Sequence, residues 1–250
     1  MRKLYIGLVL AFLYIPILVL IVLSFNDSKY YVSFGGWTLK WYKELFTDET
    51  IRSALLQTAC ISVISALCST IIGTLGAIGI RQMSLRRVVL AISDIPLLNA
   101  DIVTGVSLML LFVRFTNLNM MTVLVAHITF EIPYVLLNVM PALSAWDDDL
   151  YHAALDLGAD GAYAFKKVVL PELFPGILSG FLMAMTMSID DFSITYFTRG
   201  AGVGTLSTMI YTELKRGVNP AMYALSTLLF FAVFVLLILN NYREDWSKRS

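Results

Sequence analysis

The chain has 250 residues, 58% hydrophobic and only 14% charged, with 18 basic and 18 acidic side chains; soluble domains run nearer half apolar and a quarter charged. A mean hydropathy of +0.76, with apolar residues in blocks of twenty or more, excludes a purely cytosolic globular fold and points to a membrane protein. The even charge balance without a Lys/Arg run gives no nucleic-acid partner, and Gly and Pro scattered without period exclude a collagen-like or disordered chain.

Leu4 to Phe25 is a charge-free run behind Arg2 and Lys3. It is too long for the apolar core of a signal peptide and no small-x-small site closes it, so it reads as an uncleaved first span with its N-terminus inside. Further spans are expected at about 57–80, 88–115, 120–145, 176–197 and 222–241, each near the ~20 residues needed to cross. The expected fold is therefore all-α, a single polytopic membrane domain over 1–250 with six transmembrane helices and both termini cytoplasmic. Ten Lys/Arg fall inside on this scheme (Arg2, Lys3, Arg81, Arg86, Arg87, Lys166, Lys167, Arg243, Lys248, Arg249) against eight outside (Lys29, Lys40, Lys43, Arg52, Arg114, Arg199, Lys215, Arg216). The compact Arg81 to Arg87 loop carries the strongest local vote. Cys60 and Cys68, about 12 Å apart on one helix, are too distant for a disulfide and read as small buried hydrophobes.

Between the first two spans, Ser33-Phe34-Gly35-Gly36 signals a turn. Thr38 can then N-cap a short helix on which Trp41, Tyr42, Leu45 and Phe46 share a face. Trp41 reads as an interfacial anchor or as an aromatic lid over a pore mouth.

Five carboxylates fall inside expected spans: Asp94, Asp101, Glu131, Asp190 and Asp191. A carboxylate at a helix centre costs about 2.5–3.5 kcal/mol on insertion scales and marks a pathway or a buried pair. At a rise of about 1.5 Å per residue, Asp101 and Asp190 lie about 20 Å and 21 Å above the inner face, and Glu131 about 17 Å below the outer one. Asp94, beside Pro96, reads as a helix-end carboxylate. Arg114 alone of the basic residues is near enough to offset them, so the group is an electronegative site for a desolvated cation. A linear polyamine, with ammonium groups along an apolar chain, fits. Pairing of Asp190 or Asp191 with a cation of a partner chain, or protonation, stays open as an alternative.

Between spans four and five the inside loop 146–175 is longer than connectivity requires. Asp147, Asp148 and Asp149 suit a helix N-terminus, Leu150, Ala153, Ala154 and Leu157 fall on one face, and Gly158 suits the left-handed position beyond its end. Asp160 can cap a second helix that Pro171 stops.

These residues carry a resemblance. His152-Ala153-Ala154, three residues, Gly158, nine residues, then Val168-Val169-Leu170-Pro171 resembles the EAA loop of bacterial ABC importer permeases, Glu-Ala-Ala, x3, Gly, x9, Ile-x-Leu-Pro. His152 stands where Glu is usual and Val168 where Ile is usual. The resemblance implies the type I importer permease fold in a bacterial inner membrane. It also implies that the loop, Asp156, Leu170 and Pro171 included, docks on a cytoplasmic ATPase. The partners it implies are a homologous second permease subunit, two ATPase subunits, an extracellular substrate-binding protein and the lipid bilayer. The chain has no G-x-x-x-x-G-K-[ST], so nucleotide hydrolysis belongs to a separate chain, and no catalytic residue, cofactor or metal site is expected here.

Tyr14-Ile15-Pro16, Leu39-Lys40-Trp41-Tyr42, Asp101-Ile102-Val103, His127-Ile128-Thr129-Phe130, Ser188-Ile189-Asp190-Asp191, Tyr211 and Val218-Asn219-Pro220 are similar to the second permease subunit of spermidine/putrescine importers. That similarity implies that Trp41, Asp101, Ser188, Asp190, Asp191 and Tyr14 lie on a polyamine route; Glu131 joins them by depth alone. Permeases for sulfate, ferric ion, thiamine or phosphonate share the loop, so another small solute stays open. An ion-coupled carrier would use similar carboxylates and broken helices, as Pro96 and Pro133 hint, but would not need the loop. An intramembrane aspartyl protease would need a Gly-x-Gly-Asp context, which is absent. His127 is expected to hydrogen-bond to a neighbouring helix, and neither it nor His152 has partners for a metal.

Overall fold

A computed structural model describes residues 2–28, 33–216 and 220–247. Among these the chain is helical without strands, and it divides into two compact units, Met1–Thr58 with Gly204–Phe234 and Ala59–Val203 with Val235–Ser250. Lys29, Val218, Asn219, Lys248 and Arg249 lie outside the described residues. Five helices are long and apolar enough to cross a membrane, or six if one bent pair is a single span.

In the first unit, α1 (Arg2–Ser24) presents a 20-residue apolar stretch, Tyr5–Ser24, of which only Ser24 is buried within the chain. Pro16 sits inside it, as spans permit. Beyond α1 the chain folds back on itself through Asn26. Its side chain accepts from Ser28 N (3.2 Å) and Gly35 N (2.8 Å) and donates to Ser33 O (2.9 Å), and its carbonyl accepts from Trp41 Nε1 (2.7 Å). The knot seats α2 (Lys40–Thr47) with Trp41 and Leu45 buried. Thr38 Oγ1 accepts from Lys40 N (3.1 Å), but the helix begins one residue later than expected, after Leu39. Phe46, expected to share a face with Leu45, is exposed where Leu45 is buried, since it stands about 100° around the helix from it.

The second expected span is longer at its start: α3 (Glu49–Arg81) begins eight residues before Gln57. Asp48 Oδ1 takes the orphan amides of Thr50 (2.7 Å) and Ile51 (3.3 Å), a cap that hydropathy alone does not show. At the other end of this unit the side chains of Gln57 and Thr58 accept from Gly204 N and Leu206 N at 3.0 and 2.9 Å, fixing the entry to an eleven-residue helix, Leu206–Arg216. The last helix, Pro220–Ser247, overruns the expected 222–241 at both ends.

In the second unit the expected span 88–115 is broken. Helices α4 (Arg86–Ser93) and α5 (Ile95–Leu98) lead to Asn99 and Ala100, and α6 (Asp101–Phe115) leaves at 101° to them. Pro96 has no amide to bond back into α4, which accounts for the break between α4 and α5, while the bend itself falls at Asn99 and Ala100, both extended. Asp94 stands at the end of α4, as expected of a helix-end carboxylate. Asp101 is the first residue of α6, so a depth counted along one straight helix does not apply to it.

Next, α7 (Met120–Ala145) starts on a reciprocal cap between Asn119 and Thr122, and Thr122 Oγ1 also donates to Thr198 O (2.8 Å). The loop helix α8 (Asp148–Asp156) has Asp147 as its N-cap, accepting from Asp149 N (3.0 Å). Asp160 caps α9 (Gly161–Ala164) through Ala162 N (3.3 Å). Contrary to expectation the chain does not stop at Pro171. A five-residue π-helical stretch, Phe165–Val169, leads into α10 (Leu170–Asp190), so Gly161–Asp190 is one run of 30 residues. Pro171 sits in the first turn of α10, directly after the π-helical stretch. The expected span 176–197 therefore begins earlier and ends at Asp190, and α11 (Ser193–Thr198) follows.

The core of this unit packs α3, α7 and α10 around Val135, Val139, Leu143 and Leu173. Helices in lipid associate by close packing rather than by hydrophobic drive. Gly176 and Gly180 accordingly bring α10 onto α7, and Gly105 brings α6 onto the backbone of Ser193 and Ile194. At Gly200 a side chain would collide with the Leu118 carbonyl, a backbone atom that cannot swing away. Gly200→Val is expected to destabilise the unit by about 1–3 kcal/mol. The readout is a Tm several degrees lower on heating the detergent-purified protein. Of the cysteines, Cys60 is exposed and Cys68 half-buried, both unpaired, so the expected burial does not hold for Cys60.

Candidate functional site

Four elements of the second unit converge on the turn between α10 and α11. The helix ends at Asp190 because Asp191 leaves it: its Oδ1 accepts from Ile194 N (3.1 Å), and its Oδ2 from Thr195 N and Thr195 Oγ1 (both 2.8 Å). Asp191 is thus turned inward as the cap of α11, while Asp190, the residue before it, is exposed.

Behind Asp191 lies a buried polar cluster. His127 of α7, wholly buried, reaches Ser188 Oγ through Nδ1 (2.7 Å) and Thr195 Oγ1 through Nε2 (2.8 Å), with Asp191 Oδ2 at 3.4 Å. One helical turn on, Glu131 is equally buried and accepts from Ser65 Oγ (2.7 Å) and Ser69 Oγ (2.9 Å) of α3, with His127 Nδ1 at 3.8 Å. Ser65 and Ser188 hydroxyls are 3.2 Å apart. His127 and Glu131 are i, i+4 on α7, and Ser62, Ser65 and Ser69 recur on one face of α3, so helical periodicity alone brings these polar rows together. The expectation that His127 bonds a neighbouring helix is met by two helices at once. Among the described residues no three His, Cys, Asp or Glu side chains converge as metal ligands.

The expected route residues separate by exposure. Asp101 and Asp190 are exposed and stand at helix breaks, Asp101 one turn before Gly105 on α6 and Asp190 in the last turn before Ser193, the two residues at which α6 meets α11. Neither forms an ion pair among the described residues. Glu131, Ser188 and Asp191 are held within the wall by the hydrogen bonds above. In the first unit Trp41 is 3% exposed with its indole nitrogen satisfied, so it is built into the α2 seat, whereas Trp37 is open at 71%. Tyr14 is exposed on α1.

A second feature gathers at the other segment singled out in the sequence. A pocket of about 390 Å³ is lined by Arg81, Leu143, Trp146, Asp148, Tyr151 and His152 among others. Arg81, the last residue of α3, bonds Asp148 Oδ2 (2.9 Å) and the Trp146 carbonyl (3.4 Å) and stacks on the Trp146 ring at 4.7 Å. The guanidinium thus ties the end of α3 to the start of α8. An exposed pair of this kind is worth about 0–1 kcal/mol, so its role is to orient the loop more than to stabilise it. The α8 helix closes with Gly158 at φ +87°, Gly158 N bonded to Leu155 O (2.8 Å) and Ala159 N to Ala154 O (3.1 Å). This is the two-bond left-handed termination for which glycine is suited. His152, Ala153, Asp156 and Leu157 are exposed on α8, Ala154 and Val168 half-buried, Leu170 and Pro171 exposed.

The sequence profile of the binding-protein-dependent transport system inner membrane components matches residues 70–244. The chain belongs to this family. Among relatives of the permease, the spermidine/putrescine transport system permease protein PotC of Haemophilus influenzae is 34% identical over 244 residues, 96% of this chain and 95% of that protein. The putrescine transport system permease protein PotI of Escherichia coli is 35% identical over 235 residues, 90% of this chain and 84% of that one. Of solved structures, a bacterial ABC transporter that imports the acidic polysaccharide alginate superposes with a TM-score of 0.71 at 17% identity, covering 99% of this chain and 94% of that one. The MetNI methionine ABC transporter gives 0.64 at 19% identity, covering 80% and 99%. The fold is thus that of ABC importer permeases, and the chain is a multi-pass inner-membrane transport component, not an enzyme. Signals for the polar cluster existed in the sequence as His127-x3-Glu131 and the serine row of α3, but only the fold shows that they meet.

Proposed function

We propose that this permease carries linear polyamines, spermidine or putrescine, into the cell. The observation that carries the reading is the pair of exposed carboxylates, Asp101 and Asp190, without cationic partners among the described residues and each close in sequence to the contact of α6 with α11. Two ammonium groups on an apolar chain are complementary to two such carboxylates, and both polyamine permeases compared above are alike over nearly the whole length. Ser188, Asp191 and Glu131 support the carboxylates of the second unit from behind, and Trp41 and Tyr14 of the first unit are further route residues by the likeness to polyamine permeases.

The permease pairs with a homologous second permease and receives solute from an extracellular binding protein. Two cytoplasmic ATPases engage α8 and the segment up to Pro171. Their closure on ATP tilts the helices, opening the carboxylate pair first to one face and then to the other. Both termini and the Arg81–Arg87 turn face the cytoplasm in this reading, the same side as α8, to which Arg81 is bonded.

The test is uptake by proteoliposomes holding the complete importer. Labelled putrescine or spermidine is expected to accumulate only with ATP and binding protein present. Accumulation of ferric ion, thiamine, phosphonate or sulfate instead, or polyamine uptake driven by an ion gradient without ATP, would overturn the proposal.

A further inference from the structure

The wholly buried His127 contacts no open surface, yet its ring spans the joint that presents Asp190. On its Nε2 edge, Thr195 Oγ1 gives its hydrogen to Asp191 and so can only accept from the ring. On the Nδ1 edge the ring meets Ser188 Oγ, which in turn lies 3.2 Å from Ser65 Oγ, the hydroxyl bonded to Glu131. The ring thus stands between two hydroxyls on two helices, each linked onward to a buried carboxylate. An unmade bond in a site this dry is costly.

We propose that His127 is the positioning residue of the solute site: by clamping α10 through Ser188 and α11 through Thr195 and Asp191, it fixes the break that turns Asp191 inward and Asp190 outward. The inference rests on the reading of Asp190 as a solute contact. Asp191 can cap α11 only if the chain leaves the helix after Asp190, and the same exit points the side chain of Asp190 away from the cluster. A ring with nitrogens on opposite edges is the side chain that reaches both helices from α7 in one rotamer. His127 therefore sets the direction of the carboxylate without touching the solute.

The complete importer in a Cys60→Ala, Cys68→Ala background, carrying Asp190→Cys, provides the test. A trimethylammonium methanethiosulfonate reagent reports how the side chain at 190 is presented. Adding His127→Ala is expected to slow labelling by about fivefold or more, as loss of a buried hydrogen bond shifts the turn, and His127→Gln to slow it less. With Asp190 native, His127→Ala is expected to raise KM for putrescine more than it lowers kcat. Labelling at the parental rate in both variants overturns the proposal even if uptake falls, and so does a position 190 that is unreactive in the parent. Should His127→Ala fail to assemble, Thr195→Val, which removes only the hydroxyl between ring and Asp191, is read by the same criteria. If labelling slows as expected while the unmodified importer moves no polyamine, the positioning role stands and the polyamine reading fails.

Discussion

Asp190→Asn is expected to cut polyamine uptake by about tenfold or more, equivalent to about 1.4 kcal/mol, with Asp101→Asn close behind, while both variants assemble normally. The contrast with Asp191 makes the test specific. Asp190 is exposed and makes no ion pair among the described residues, so its amide costs the fold almost nothing. Asp191 caps α11 with three hydrogen bonds and faces His127, so Asp191→Asn should lower both uptake and the Tm. An Asp190→Asn importer with parental KM and kcat would remove Asp190 from the solute path. A loss of stability equal to that of Asp191→Asn would show instead that Asp190 is structural.

Gly158→Leu is expected to separate ATP hydrolysis from transport. Gly158 has φ +87° and open space around it, so a side chain there meets no neighbour and the penalty is purely conformational, about 1–2 kcal/mol. That is enough to displace the end of α8, whose last two backbone bonds depend on the left-handed turn, without disturbing the spanning helices. Uptake should fall about fivefold or more while ATPase activity and membrane insertion persist. Coupled uptake at the parental rate would show that α8 does not transmit the stroke.

Hydropathy marked the long helices, because a run such as Leu4–Phe25 or 120–145 needs only length and composition to be recognised. Caps were legible where the residue has one evident local use: Asp147, Asp160 and Gly158 occupy the positions their chemistry suggests. The misjudged boundaries share a cause, which is that apolar periodicity does not register a break inside an apolar run. Pro96 and the turn at Asn99 and Ala100 bend the third span, and Asp191 ends the fifth by a hydrogen-bond preference that competes with the helix. Both breaks fall beside the exposed carboxylates, and for Asp101, the first residue after the bend, a count along one straight helix does not apply. Glu131 was identifiable as costly from its place in a span; that Ser65 and Ser69 offset part of the cost required the packing of α3 against α7.

The π-helical stretch Phe165–Val169 adds one residue to a turn within an otherwise regular rod. Each residue of an α-helix advances the azimuth by about 100°, so the wide turn resets the rotational phase between Gly161–Ala164 and everything that follows Leu170. The polar and apolar stripes on either side of it consequently cannot be read off one helical wheel. The faces that Gly161–Ala164 and the residues after Leu170 present to their neighbours are therefore set by an angular offset fixed in that one turn.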